Sequence, residues 1–171
     1  MNIVAFTPDF VDTAKEWLKD KEFAEQIGIY DGDMTDDIAS GVVQSWADNP
    51  RSSMFWIMNE GKPVGFAMLA EINPRFGSCV IHFAVHDKSL HGGYGVYRCV
   101  RDVLVYAFKY RDMHRVQAVE VGDRHDIMRM LDRGAFGFKK EGVLREAILK
   151  NGKRYDAIIY SVLEHEFNFG R

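Results

Sequence analysis

The chain has 171 residues, of which 47 % are hydrophobic and 27 % charged, ordinary values for a globular protein long enough to bury a sizeable core as one domain, 1–171. A net charge of −3 argues against non-specific nucleic-acid binding, which shows as a basic excess. No run reaches the ~18 apolar residues of a membrane span, and neither Cys79 nor Cys99 belongs to a CxxC pair or a zinc spacing.

From these bounds no metal, no nucleic acid and no membrane partner is expected. The first residues lack the basic-then-apolar pattern of a secretion signal, so the cytoplasm is the expected address. Both cysteines read as reduced core residues.

Ile3 to Phe6 predicts a short first strand. Pro8-Asp9 opens a helix with Phe10, Val11, Ala14, Trp17 and Leu18 at helical spacing, and Gly28 closes the region. An acidic stretch follows, with Asp31, Asp33, Asp36 and Asp37. A second helix carries Ile38, Val42, Val43 and Trp46 and stops before Asn49-Pro50. Met54 to Met58 and Val64 to Ile72 read as antiparallel strands joined by Asn59-Glu60-Gly61-Lys62. After the turn at 73–77, another strand runs through Cys79 to His86.

Next comes Leu90-His91-Gly92-Gly93-Tyr94-Gly95-Val96, feeding an amphipathic helix over Val96 to Tyr110. Three glycines in four positions at a helix start leave main-chain N–H groups uncovered by side chains. Together with the positive end of the helix dipole they form a ready anion site, and a pyrophosphate fits it. Beyond it lie a strand over Val116 to Val121, a helix over Asp126 to Arg133 stopped by Gly134, and two strands, Val143 to Leu149 and Arg154 to Leu163. Asn151-Gly152 between them signals a type I′ hairpin. The order β-α-α-β-β-β-α-β-α-β-β implies an α/β fold, a mixed sheet with helices on its faces and a C-terminal hairpin. The apolar tail Phe167-Asn168-Phe169 is expected to dock on the domain's own surface or to meet a partner.

The turn Gly92-Gly93-Tyr94-Gly95, the segment Gly137-Phe138-Lys139-Lys140-Glu141-Gly142 and the run Asn151 to Asp156 leading to Tyr160-Ser161-Val162-Leu163 occur in an order and spacing that resembles the GCN5-related N-acetyltransferases. The branch that acetylates ribosomal-protein N-termini is the most similar. The resemblance covers nearly the whole chain. It implies acetyl-coenzyme A as co-substrate and two central parallel strands splayed apart with the pantetheine arm laid between them. It further implies that the N–H groups of His91, Gly92, Gly93, Gly95 and Val96 cradle the pyrophosphate, with Tyr94 supporting the turn. Phe83, Ala84 and Val85 would pair with the pantetheine amides.

Acetyl transfer to an amine needs alignment, a base for the amine proton and a donor for the leaving thiolate. Glu71 and His82 are the candidate bases, and imidazole as a class titrates near neutrality. Val80, His82, Ala84 and His86 share one strand face by alternation. Tyr160 is the candidate acid, and Tyr155 on the same strand is a candidate acceptor contact. Asp31 and Asp33 would draw a cationic acceptor towards the site. The alternative is that Thr35 caps the second helix while Asp36 and Asp37 complement its dipole.

The chain also departs from the family pattern. Leu90 stands where the phosphate turn usually begins with Gln or Arg, Val80 where a carboxylate is frequent, and the helix 126–133 has no tyrosine. The first functional reading is therefore an N-acetyltransferase acting on a protein α-amine or another small primary amine. A second is a protein of the same fold without turnover, serving as a binding or assembly factor. A third is a polyamine acetyltransferase. A homodimer stays open.

Overall fold

A computed structural model describes residues 1–29, 34–122 and 125–169. The chain divides into two compact units, one formed by Met1–Ala70 with His82–Val103, the other by Glu71–Ile81 with Leu104–Arg171. Asp31 and Asp33 lie outside the described residues.

In the first unit, strand β1 (Asn2–Ala5) pairs antiparallel with β2 (Ser53–Asn59), and β2 pairs antiparallel with β3 (Lys62–Asn73). The β2–β3 turn places Glu60 and Gly61 at φ of 49° and 78°, the doubly left-handed geometry of a type I′ hairpin. Helix α1 (Val11–Lys19) buries Ala14, Trp17 and Leu18, the stripe that its apolar spacing predicts. The expected single helical region breaks at Asp20. Its carboxylate accepts from the N–H groups of Glu22 and Phe23 and so starts a separate turn, α2 (Lys21–Glu25). Helix α3 (Asp36–Asp48) begins on a Thr35 cap.

These elements close on Trp56. Its ring stacks on Phe6 at 5.1 Å and meets Phe10 and Trp17 edge-on, and its indole N–H donates to the Thr7 carbonyl at 3.0 Å. Phe23, Phe66, Ala39, Val43 and Ala84 belong to the same buried cluster. Ala84 lies on β4 (Ser78–Val85), a strand that starts in the second unit and ends in the first. It leads to helix α4 (Tyr94–Val105), which begins two residues before the expected start and is continued by a wider π turn over Tyr106–Tyr110.

In the second unit the beginning of β4 pairs parallel with β5 (Arg115–Val121), from Ser78 with Arg115 to Val80 with Gln117, and their ladder ends there. Strand β7 (Lys153–Leu163) pairs antiparallel with β5 on one side and with β6 (Lys139–Lys150) on the other. Asn151 and Gly152 take φ of 51° and 72° at the hairpin tip, as the dipeptide requires. Helix α5 (His125–Asp132) lies between β5 and β6 in sequence. By pairing, the strands follow the order β1-β2-β3-β4-β5-β7-β6, a mixed seven-stranded sheet. The tail docks on its own unit: Phe167 is buried, lies 5.3 Å from Phe108 and packs edge-on against Phe169.

Candidate functional site: the end of β4 and the glycine turn

The direction of each peptide group at the end of β4 follows from one hydrogen bond. The His86 N–H donates to the Val64 carbonyl at 2.8 Å. In an antiparallel pair both polar groups of a residue point the same way, and the direction alternates along the strand. Phe83 and Val85 therefore present their N–H and C=O to the side away from β3. Side chains alternate perpendicular to this: Ala84 enters the aromatic core, His86 stacks on Trp17 at 5.5 Å, and His82 is half-buried on the same face.

The strand ends on Asp87. Its carboxylate accepts from the Ser89 hydroxyl and the Ser89 N–H, and these bonds lower its pKa. The short turn Lys88–Leu90 follows. Of the N–H groups expected in the anion cradle, those of His91, Gly93 and Val96 are engaged within the chain, by the carbonyls of Lys88, Leu90 and Gly93 at 3.2, 3.2 and 3.1 Å. Among the described residues, the N–H groups of Gly92, Tyr94 and Gly95 meet no backbone acceptor. Tyr94 and Gly95 stand at the first turn of a 12-residue helix, with Gly92 two residues before it, where unpaired donors and the dipole favour an anion. The open main-chain donors of the turn are thus those of Gly92, Tyr94 and Gly95. Gly92 sits at φ +70° with open space where a side chain would start. At Gly95 a β-carbon would lie 2.6 Å from the Met1 sulfur, and the Met1 side chain would have to shift to admit it.

The remaining sequence-derived candidates divide between the two units. Glu71 is exposed near the end of β3, at φ 52°, and belongs to the second unit, whereas His82 belongs to the first. Tyr155, near the hairpin tip, lies under the ammonium groups of Lys153 and Lys150 at 5.0 and 5.9 Å. Tyr160 is wholly buried, and its hydroxyl donates to the Asp132 carboxylate at 2.8 Å. Burial, then the bond to Asp132, push its pKa up to about 12. That is the wrong direction for a group meant to release a proton to a thiolate. At the start of α3, Lys19 pairs with Asp36 and lowers its pKa, so part of the acidic stretch is already answered within the chain.

Sequence reasoning missed Gln26. Its carboxamide makes two bonds to one residue of β4: Oε1 accepts from the Val85 N–H at 3.2 Å, and Nε2 donates to the Val85 carbonyl at 3.3 Å. A glutamine two residues before a loop glycine carries no periodic or motif signal, so only the folded chain brings the pair together.

No model of a known protein family matches the chain. A curated relative, the uncharacterized N-acetyltransferase YoaA of Bacillus subtilis, is 30 % identical over 101 residues, 59 % of this chain and 54 % of that protein. The chain therefore spans about half the length of the curated relative it matches. Among solved structures, the spermidine N-acetyltransferase of Vibrio cholerae in complex with CoA and spermine superposes with a TM-score of 0.82 at 15 % identity, covering 96 % of each chain. Another, "Probable acetyltransferase", gives 0.78 at 18 % identity over 96 % of this chain and 93 % of that one. At such low identity the likeness is one of fold, and the chain has the mixed-sheet fold of these N-acetyltransferases.

Proposed function

We propose that the protein is an acetyl-coenzyme A-dependent N-acetyltransferase that acts on a primary amine, either a protein N-terminus or a small amine. One observation carries the reading: at the start of α4, in the turn that follows β4, the N–H groups of Gly92, Tyr94 and Gly95 lack backbone acceptors. A diphosphate supplies the charge and lone pairs that such donors match. The curated relative's name and the fold likeness point to the same chemistry.

The co-substrate supplies an activated acyl thioester. The chain's part is to hold and align. The N–H groups of the turn bind the diphosphate, and the outer edge of β4 at Phe83 and Val85 orients the amide-bearing arm. A main-chain N–H of that edge polarises the acyl oxygen. As the amine nitrogen bonds to the carbonyl carbon, the carbon–sulfur bond breaks and the sulfur leaves with the electron pair. His82 is the proposed base for the amine proton, directly or through water, and Glu71 is the alternative. The thiolate is protonated by solvent or by the acid formed at that base. The polyamine reading draws on the spermidine enzymes that share the fold and on Asp37 at the exposed start of α3.

The test is calorimetric titration and thermal denaturation with CoA and acetyl-CoA, followed by thiol release with N-terminal peptides, lysine and spermidine as acceptors. Binding at micromolar ligand, with a rise in midpoint, supports the reading. Absence of binding at millimolar ligand overturns it and leaves the assembly-factor reading. Binding without thiol release on any acceptor has the same consequence for turnover.

A further inference from the structure

Val85 is only 3 % exposed, yet its polar groups face the outer edge of β4. A buried peptide group without a partner is costly, and here none is left unpaired. The single N–H proton goes to Gln26 Oε1 at 3.2 Å. The carbonyl oxygen has two lone pairs. His91 Nε2 lies 2.8 Å from it and Gln26 Nε2 donates at 3.3 Å. The edge is saturated at Val85, and one primary carboxamide meets both polar groups of this residue as a neighbouring strand or an amide-bearing ligand would.

The segment bearing Gln26 is tied to the same stretch of chain at further points. Asp20 lies 3.6 Å from the His86 ring, and Glu22 pairs with Lys88. Phe23 meets the His86 ring edge-on at 5.5 Å. Helix α2 is thus strapped over the end of β4 and the entry to the glycine turn, through residues 20, 22, 23 and 26 on one side and 85, 86 and 88 on the other.

We infer that Gln26 is a positioning residue that occupies the Val85 edge as a resident substitute for the pantetheine amide and is exchanged for it when CoA binds. This rests on the proposal that the arm of CoA pairs with the outer edge of β4. The physical reason is one of capacity: Val85 has one hydrogen to donate, and it is in use. An incoming amide can pair there only after the Gln26 carboxamide swings away. Release of Gln26 removes one tie of α2 to the end of β4.

Two measurements test this on the full chain. The first is CoA affinity by calorimetry for the wild type, Gln26→Ala and Gln26→Glu. The alanine variant has no carboxamide to displace and is expected to bind CoA about three- to tenfold more tightly, with a lower thermal midpoint when unliganded. The glutamate variant keeps the acceptor for the Val85 N–H and loses the donor, and is expected to fall between the two. The second needs no variant: the Gln26 side-chain amide protons, observed by 15N-resolved NMR, should exchange slowly in the free protein and move to solvent-like shifts and fast exchange on saturation with CoA. Equal or weaker CoA binding by Gln26→Ala, or amide signals unchanged by CoA, would overturn the inference while leaving the acetyltransferase reading intact. Failure of the wild type to bind CoA would remove both.

Discussion

The β-carbon that Gly65 lacks would lie 2.2 Å from the Ala84 carbonyl oxygen and 2.9 Å from the Val85 α-carbon. Both are main-chain atoms, and neither can turn aside without moving the strand. Gly65→Ala must therefore part β3 from β4 at the residues that orient the outer edge. We expect a loss of about 2–4 kcal/mol in urea denaturation and weaker CoA binding. Gly41 provides the contrast: it sits in α3 with open space around its absent β-carbon, and Gly41→Ala should gain up to about 1 kcal/mol from helix propensity. Equal stabilities for the two variants would show that the β3–β4 contact relaxes freely.

Tyr94 tests whether the glycine turn binds an anion without disturbing its packing. Its side chain is 82 % exposed and it is the first residue of α4, a position where proline is tolerated because the N–H has no helical partner. Tyr94→Pro removes one proposed phosphate donor and keeps the helix start. A charge-assisted hydrogen bond of about 1.5 kcal/mol corresponds to roughly a tenfold rise in the CoA dissociation constant, with little change in thermal midpoint. Tyr94→Phe, which keeps the N–H, should bind as the wild type does. Equal affinities for Tyr94→Pro and the wild type would place the diphosphate elsewhere.

Local chemistry explains which features were legible in the sequence. The Asn151-Gly152 hairpin, the Thr35 cap and the Ala14, Trp17 and Leu18 stripe each depend on residues a few positions apart, and each forms as expected. The glycine turn was legible as a helix start, but which of its N–H groups stay open was not. Which N–H groups stay open depends on carbonyls such as those of Lys88 and Leu90, which turn back onto His91 and Gly93. Tyr160 shows the other limit. Alternation places it on a strand face, and only the fold shows that this face is sealed and that the hydroxyl meets Asp132 across 28 residues. Gln26 and Val85 lie 59 residues apart and share no pattern at all.

Glu141 carries a pH signature that belongs to the second unit alone. The Arg115 guanidinium, then the Ser161 hydroxyl, hold its carboxyl down to about 2 from an ordinary 4.5. A carboxyl depressed in the folded state contributes its stability above 4.5, and that contribution is lost as pH falls towards 2. The side chain is 41 % exposed, so solvent screening reduces the effect to about 1 kcal/mol. Urea denaturation across this acid range should show the wild type losing about that much more than Glu141→Gln. Parallel pH profiles would mean that the Arg115–Glu141 pair is not held in solution.

The buried Tyr160 hydroxyl separates a structural role from a chemical one. Removing it leaves the Asp132 carboxylate exposed to water, so Tyr160→Phe should cost about 1 kcal/mol of stability and leave kcat/KM within about twofold. A general acid would respond differently, with a fall of about a hundredfold or more. Such a fall, without loss of stability, would restore Tyr160 to the chemistry and require its hydrogen bond to Asp132 to break during turnover.

The base is the part of the reaction that single substitutions can assign. His82→Ala and Glu71→Gln each remove one candidate. For His82 as base, His82→Ala should lower kcat/KM about a hundredfold with CoA affinity unchanged, and the fall should shrink at alkaline pH, where more of the amine is already neutral. Glu71→Gln should then leave kcat/KM close to the wild-type value. The reverse pattern assigns the role to Glu71, whose exposed position at φ 52° would then be strain kept for function rather than a bend that closes β3. Unchanged kcat/KM in both variants would dismiss both bases and leave deprotonation of the amine to bulk water.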